Sequence, residues 1–494
     1  MYLSKSKYTK GIRCPKMLWM DEYMPGEAPE NPALEAIFET GNMVGDLARQ
    51  YFGNCVLVDF DKGLQSMLKE TQEYIAAGET HIAEASFSSE RLFCSVDILR
   101  KTESGWDIIE VKSSNDIHDI YYDDMAFQYY VLKKSGMNIT GVYLMHLNRD
   151  YTRYGALDLK QLFLIENCTQ TVFEMQNDLP ANIERIRKYM ADAGDKEPKQ
   201  ALSMSCYEPY GCAYFGYCTK CAPKDSVLNI NRLAKRKKVD LFNDGIISFE
   251  DIAREKPHLS ANQWLQVDTA LNHYPPHIDK LGIKSCIEQY TYPIYYLDFE
   301  TYQPAIPEFD GEHPYMQVPF QYSLHIQQEK GGELEHREFL GISGTDVKRA
   351  IAEQLCKDIP KDVCVLAYNM TFEKQRISEL AGLYPDLAEH LMSIHDNIQD
   401  LMLPFQNKYY YSEALEGSYS IKKVLPALCP NDPELDYHAL EGIHNGGEAM
   451  AAFPDLPNHT PEEQETIRKN LLAYCGLDTL AMVKVLEKLY ELCE

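Results

Sequence analysis

The chain has 494 residues, 45% of them hydrophobic, and a formal net charge of −27. This length exceeds one ordinary core and predicts two large domains with a small third. The charge argues against a general nucleic-acid coat, which would need Lys and Arg against phosphate, but not against a nuclease whose carboxylates hold metal.

No run is apolar for long enough to span a membrane. The N-terminus, "MYLSKSKYTKGIRCPKMLWM", is charged throughout rather than built like a signal peptide. A cytoplasmic protein without a membrane partner is therefore expected. In that compartment clustered thiols bind metal or do chemistry more often than they form disulfides. Two basic stretches, "KSKYTKGIRCPK" and "RLAKRKK", are candidate phosphate contacts within an acidic chain.

In chain order, residues 30–52 carry apolar residues at helical spacing and predict a helix. "RLFCSVDILR" and "WDIIEVKS" read as neighbouring strands joined by the turn "KTESG". A helix over 123–135 and a strand at "ITGVYLMHL" follow, and 158–192 reads as largely helical. Residues 226–288 read as a small helical connector, in which "LFNDGIISFEDIA" resembles a helix-hairpin-helix nucleic-acid module. A second α/β region begins near 290. "PIYYLDFETY" is a strand of buried type, with "VPFQYSLHIQQ" and "ELEHREFLG" as antiparallel neighbours. "VCVLAYN" is a further strand, a helix starts at Phe372, and a last helix covers 460–492.

Three groups of residues carry chemistry. Asp97 stands at the polar end of one strand, and Glu110 and Lys112 share a face of the next because they are two apart. Two carboxylates on adjacent strands can hold Mg²⁺ or Mn²⁺, and a lysine beside them can orient water or offset phosphate charge. Glu84 precedes them on a strand, and Gln128 follows on a helix with Tyr129 and Tyr130. This run resembles the RecB-like branch of the PD-(D/E)xK nucleases. The resemblance implies that Asp97 and Glu110 bind metal, that Lys112 is catalytic and that Gln128 supports the site. The early helix offers no histidine where many relatives have one.

"SCYEPYGCAYFGYCTKC" crowds Cys206, Cys212, Cys218 and Cys221 into one turn-prone stretch. RecB-like nucleases of CRISPR adaptation and of the AddB type carry one cluster ligand near the N-terminus and three after the nuclease core. By that resemblance Cys14, Cys206, Cys212 and Cys218 would hold a [4Fe–4S] cluster. Zinc suits four thiolates equally on composition, and Cys221 could replace one ligand.

In the third group, Asp298 and Glu300 lie two apart on a strand, Asn369 and Glu373 flank a strand-to-helix junction, and Tyr474 and Asp478 lie four apart on a helix. This ordered set resembles the DEDDy 3′→5′ exonucleases of the ribonuclease H-like fold. It implies Asp298, Glu300, Glu373 and Asp478 as metal ligands and Tyr474 as the residue that positions water. Glu373 replaces the usual aspartate. Asp400 is a candidate supplementary acid, and Lys422 and Lys423 are candidate phosphate contacts.

The two resemblances cover residues 1–225 and 289–494, leaving 226–288 as connector. The whole is similar to an uncharacterised bacterial family joining the two nuclease types. The expected fold class is α/β: a restriction-endonuclease-like domain with a cysteine-bound cluster, then a mixed-sheet ribonuclease H-like domain. The expected partner is nucleic acid, DNA ahead of RNA. The alternatives are an RNA-processing exonuclease and an end-binding protein with one inactive nuclease domain.

Overall fold

The computed structural model describes residues 1–29, 34–430, 432 and 435–494. The protein is mixed α/β and divides into two compact units. The first comprises Met1–Cys221, Lys235–Asp244 and Ala305–Tyr315; the second comprises Ala222–Ala234, Gly245–Pro304 and Met316–Glu494. Residues 226–288 are thus divided between the units rather than forming a third. They contribute four helices, Lys235–Asn243, Phe249–Glu255, Ala261–Asn272 and Lys280–Ile287. Ser248 and Ser260 each close a capping box that starts one of them. Among the described residues no helix is long and apolar enough to cross a membrane.

The first unit is built on a seven-stranded mixed sheet. Its strands are β1 (Leu3–Ser4), β2 (Val56–Leu57), β3 (His81–Ser89), β4 (Leu92–Lys101), β5 (Trp106–Lys112), β6 (Ile139–Leu147) and β7 (Phe163–Asn167). β3, β4 and β5 form an antiparallel meander, β6 runs parallel to β5, and β7 returns antiparallel to β6. The helices used below are α1 (Lys5–Arg13), α2 (Pro15–Tyr23), α3 (Leu34–Phe52), α4 (Leu64–Ala77) and α5 (Asp119–Lys134). α5 makes the crossover that a parallel β5–β6 pair requires.

Two sequence expectations change here. The helix expected from residue 30 runs from Leu34, and residues 30–33 lie outside the described residues. The region 158–192 is not continuously helical, because Phe163–Asn167 forms β7. Only Phe163 of that strand is buried, so "FLIEN" lacks the alternating pattern that marks a half-buried strand.

One irregularity shapes the first site. Ile82 and Ala85 on β3, and Val96 and Leu99 on β4, all lie in the core beneath α5. Strict alternation forbids a spacing of three, so each strand slips by one residue between them. On β3 the slip falls at Glu84, whose φ of 55° lies in the left-handed region that costs energy for a residue with a Cβ. Asp97 is its cross-strand neighbour, and the two drop out of the otherwise regular β3–β4 pairing.

The second unit holds a five-stranded mixed sheet, a two-stranded sheet and the longest helix, Pro461–Cys493. Its strands are β8 (His277–Ile278), β9 (Ile294–Tyr302), β10 (Val318–Gln327), β11 (Leu334–Leu340), β12 (Cys364–Ala367), β13 (Ile398–Asp400) and β14 (Tyr410–Tyr411). The order of the large sheet is β11-β10-β9-β12-β13, with β10 antiparallel to β9 and β11, and β12 parallel to β9 and β13. β9 is therefore central and covered on both faces. Ile294, Tyr296 and Tyr302 pack into a core shared with Leu471, Leu477, Ala481 and Val485 of the last helix. Tyr295, Leu297 and Phe299 face the opposite core, shared with Ile351, Ile377 and Ile394. The two acids of β9, Asp298 and Glu300, lie on the face of the last helix.

Candidate metal centres

In the first unit β4 has two partners along one edge: β1 at Leu92 and Phe93, and β5 at Ile98 to Lys101. Between them the edge is open, and the candidate residues gather there. Asp97 Oδ2 accepts from the Val111 N–H at 2.7 Å. Glu110 is buried, and its oxygens take Gln128 Nε2 at 2.5 Å and Lys112 Nζ at 2.6 Å. Lys112 also reaches Asp124 at 2.8 Å. Asp97, Glu110, Lys112 and Gln128 are thus brought together, with Glu84 opposite Asp97.

Sequence reasoning missed two members. Lys5, first residue of α1, places its ammonium 3.0 and 3.2 Å from the Glu110 oxygens and 3.9 Å from Asp97. Asp124 completes the charge set on α5. The basic stretch "KSKYTKGIRCPK" was a signal for Lys5, but no local pattern shows that β1 delivers it to this edge.

The electrostatics follow the contacts. Burial, and then the charge of Glu110, raise the Asp97 carboxyl to about 6. Burial and Asp97 raise Glu84 to about 7. Burial also pushes Glu110 upward, but Lys112 and Lys5 outweigh it and hold the group at about 2. Carboxylate oxygens such as those of Asp97, Glu84 and Glu110 are donors for a hard divalent ion, but among the described residues the three do not come within 4.8 Å of one another. To engage Glu110 fully, such an ion must displace Lys5.

The cysteines form a separate group in the same unit. Cys14 breaks α1 from α2: it is extended, caps α2, and is followed by Pro15 at the first helical position. Arg13 Nε donates to the Ser205 carbonyl at 3.0 Å and Trp19 Nε1 to the Gly194 carbonyl at 2.8 Å, which docks this turn against residues 194–221. Cys14, Cys206, Cys212 and Cys218 line one small cavity with Met17, Met20, Leu202 and Phe215. Cys221 is exposed and does not line it. Burial, and then the neighbouring thiols among other contacts, push Cys14 and Cys218 upward. Around a tetrahedral zinc with Zn–S of about 2.3 Å, sulfurs lie about 3.8 Å apart. Among the described residues no three of these thiols come within 4.8 Å of one another.

In the second unit the expected residues converge from three segments. Asp298 and Glu300 come from β9, Glu373 from the first turn of the helix Thr371–Leu383, and Tyr474 and Asp478 from the last helix. One oxygen of each β9 acid and Cys475 Sγ lie within 4.8 Å of one another. Asp478 Oδ1 accepts from the Tyr437 hydroxyl at 2.6 Å, and the Tyr474 phenol also hydrogen-bonds to Asp478. Lys422 Nζ donates to the Tyr474 hydroxyl at 3.0 Å and to the His444 carbonyl at 2.9 Å. Lys423 instead pairs with Glu416 at 2.8 Å.

Asp400 is buried, and its Oδ1 takes the backbone N–H of Asn369 at 3.0 Å and of Met402 at 2.9 Å. Asn369 holds a φ of 76°, so Asp400 braces the strained turn that presents Glu373. Tyr437 and Cys475 were not legible as site members. Tyr437 belongs to none of the motifs, and Cys475 reads as a buried small hydrophobe.

The donor set fits divalent metal. Burial raises all four carboxyls: Asp298 well upward, Glu300 to about 8, Glu373 to about 8, and Asp478 also upward. Asp478 adds to the rise at Asp298 and Glu300, whereas Lys422 counters it at Glu300. Glu373 Oε2 is buried with no hydrogen-bond partner. Crowded buried carboxylates with an orphan oxygen are stabilised by a bound cation.

Residues 295–420, which include the Glu373 turn and all of β9 but its first residue, match a family described as a domain of unknown function, DUF2779. The chain is 28% identical over 209 residues to the uncharacterized protein MG366 of Mycoplasma genitalium, and 24% identical over 208 residues to its homolog in Mycoplasma pneumoniae. Each match covers 38% of this chain and 31% of the relative. The chain thus spans about a third of the length of these curated relatives.

Proposed function

We propose that this protein is a metal-dependent nuclease that hydrolyses phosphodiester bonds, with DNA strands or ends as substrate and a 3′→5′ exonuclease in the second unit. The observation that carries this reading is the convergence of Asp298, Glu300, Glu373 and Asp478 with Tyr474 from three distant segments. The central acidic strand of a mixed sheet, with helices on both faces, is in keeping with a ribonuclease H-like exonuclease of DEDDy type. The first unit's Asp97, Glu110, Lys112 and Gln128 support a RecB-like PD-(D/E)xK assignment, and the thiol-lined cavity supports a [4Fe–4S] cluster held by Cys14, Cys206, Cys212 and Cys218.

Bound Mg²⁺ or Mn²⁺ would supply charge neutralisation at the phosphoryl oxygens and an acidified water. The chain's own part is positional. The four carboxylates would hold the ions, with Glu373 reaching one methylene further than aspartate would. The Tyr474 phenol, held by Lys422, orients the attacking water. Lys422 adds a cation beside that phenol, placed to offset phosphate charge. Tyr437 fixes the rotamer of Asp478. In the first unit Lys112 is the group placed to orient water beside Asp97 and Glu110.

One observation favours a second reading for the first unit. Lys5, Lys112 and Gln128 already occupy the Glu110 oxygens, as expected of a nucleic-acid end-binding domain with a silent centre. The testing experiment compares degradation of single- and double-stranded DNA and RNA by wild type, Asp97→Ala and Asp298→Ala in Mn²⁺. Loss of mononucleotide release in Asp298→Ala supports the proposal; wild-type protein inert on all four substrates would end it.

A further inference from the structure

We infer that Cys475 is a metal ligand, so that the second unit's centre accepts a borderline or soft divalent ion such as Zn²⁺, Co²⁺ or Cd²⁺ on a mixed set of Cys475, Asp298 and Glu300. The inference rests on the reading of this centre as metal-binding and is independent of the reaction assigned to it.

Cys475 follows the water-positioning Tyr474 and precedes Asp478 by three residues, so thiol and carboxylate occupy neighbouring places on the last helix. Its side chain is fully buried. Sγ lies 3.7 Å from Asp298 Oδ2. Two ligands of one tetrahedral ion, with metal–sulfur about 2.3 Å and metal–oxygen about 2.0 Å, would be about 3.5 Å apart. A β9 acid pair alone would offer only hard oxygen donors, which suit Mg²⁺ and Mn²⁺. One thiolate among them shifts preference toward ions that bind sulfur.

A second acid of the same charge cluster has an unpartnered oxygen. The orphan oxygen of Glu373 belongs to a side chain only 2% exposed, and Glu373 is close enough to perturb both Asp298 and the site's charge balance. The bland alternative is a neutral thiol donating a weak S–H···O bond to Asp298, which fits the same 3.7 Å. The two differ in chemistry. Ligation forms a metal–sulfur bond, breaks the S–H bond and releases one proton to solvent, with no change of oxidation state.

The test titrates the full chain with Cd²⁺ and separately with Mn²⁺, for wild type and Cys475→Ser, by ultraviolet difference absorption. Wild type minus variant should show a thiolate-to-cadmium charge-transfer band that saturates at one ion per chain; the Cys14 array is common to both proteins and cancels. The variant should bind this Cd²⁺ about tenfold or more weakly, while its Mn²⁺ affinity changes less than about threefold. Cys475→Ala, which buries no hydroxyl, should repeat the result. ¹¹³Cd NMR of the wild-type chain separates one-thiolate from all-oxygen and four-thiolate coordination and needs no variant. A missing difference band and an all-oxygen cadmium signal, with Mn²⁺ still bound, would overturn the thiolate ligand and leave the carboxylate centre standing. Failure of wild type to bind either ion at this centre would overturn the metal centre itself.

Discussion

Replacing Glu373 by glutamine should stabilise the metal-free protein at alkaline pH and weaken its response to Mn²⁺. Burial, and then the charge of Asp400, raise the Glu373 carboxyl from an ordinary 4.5 to about 8 against the opposing pull of its backbone hydrogen bond and Arg376, and one of its oxygens has no partner. A carboxyl raised on folding means that the folded state binds more protons than the unfolded one. The cost is absent below pH 4.5, grows between 4.5 and about 8, and is complete above that. At about 1.4 kcal/mol per pH unit, it amounts to roughly 4 kcal/mol at pH 8 against roughly 1 kcal/mol at pH 5. Glutamine removes the charge but brings an amide that needs a partner, which offsets about 1–2 kcal/mol. The net gain should be on the order of 1–3 kcal/mol at pH 8 and vanish or reverse by pH 5. Calorimetry in a chelator at the two pH values reads this directly. Mn²⁺ should then raise the melting temperature of wild type well above that of the variant. A variant equally destabilised at both pH values, with an undiminished Mn²⁺ response, would refute the account of this centre.

Lys5→Met should raise the Mn²⁺ affinity of the first centre about tenfold, because it removes the ammonium that competes for Glu110 and Asp97; paramagnetic resonance in an Asp298→Ala background would measure it, and an unchanged affinity would show that Lys5 does not guard the site. Anaerobically purified protein should contain about four irons per chain, and Cys212→Ala should lose them and destabilise the first unit; zinc alone at one per chain would replace the cluster with a zinc clasp. Tyr474→Phe should slow the exonuclease by about 10²–10⁴-fold without abolishing it, and Lys422→Ala should act in the same direction through loss of the 3.0 Å contact to the phenol. Steady-state rates on a labelled strand would check both, and full activity of Tyr474→Phe would remove the phenol from the mechanism.

Much of this organisation is visible in the chain before folding. β9 is legible because an apolar run ends in acids two apart, and period two alone puts Asp298 and Glu300 on one face. Tyr474 and Asp478 are legible because four residues is one helical turn. The hidden members are those brought in by topology. Lys5 arrives because a two-residue strand seats α1 beside β4, a pairing too short to leave a pattern. Tyr437 reaches Asp478 from a 3₁₀ turn, and Asp400 reads as a helix cap until β13 places its carboxylate under the Asn369 turn. The slip at Glu84 is equally silent, since a left-handed glutamate inside a strand has no sequence signature. β7 is hidden for a simpler reason: an edge strand with one buried residue does not alternate.

Digestion of a single DNA strand labelled at its 5′ end reads out the metal-dependent 3′→5′ exonuclease proposed for the second unit. With Mn²⁺ the account predicts a ladder of labelled fragments that shortens with time, abolished in Asp298→Ala and retained in Asp97→Ala. A labelled mononucleotide as sole product from the earliest times, or a ladder unchanged in Asp298→Ala, would contradict it.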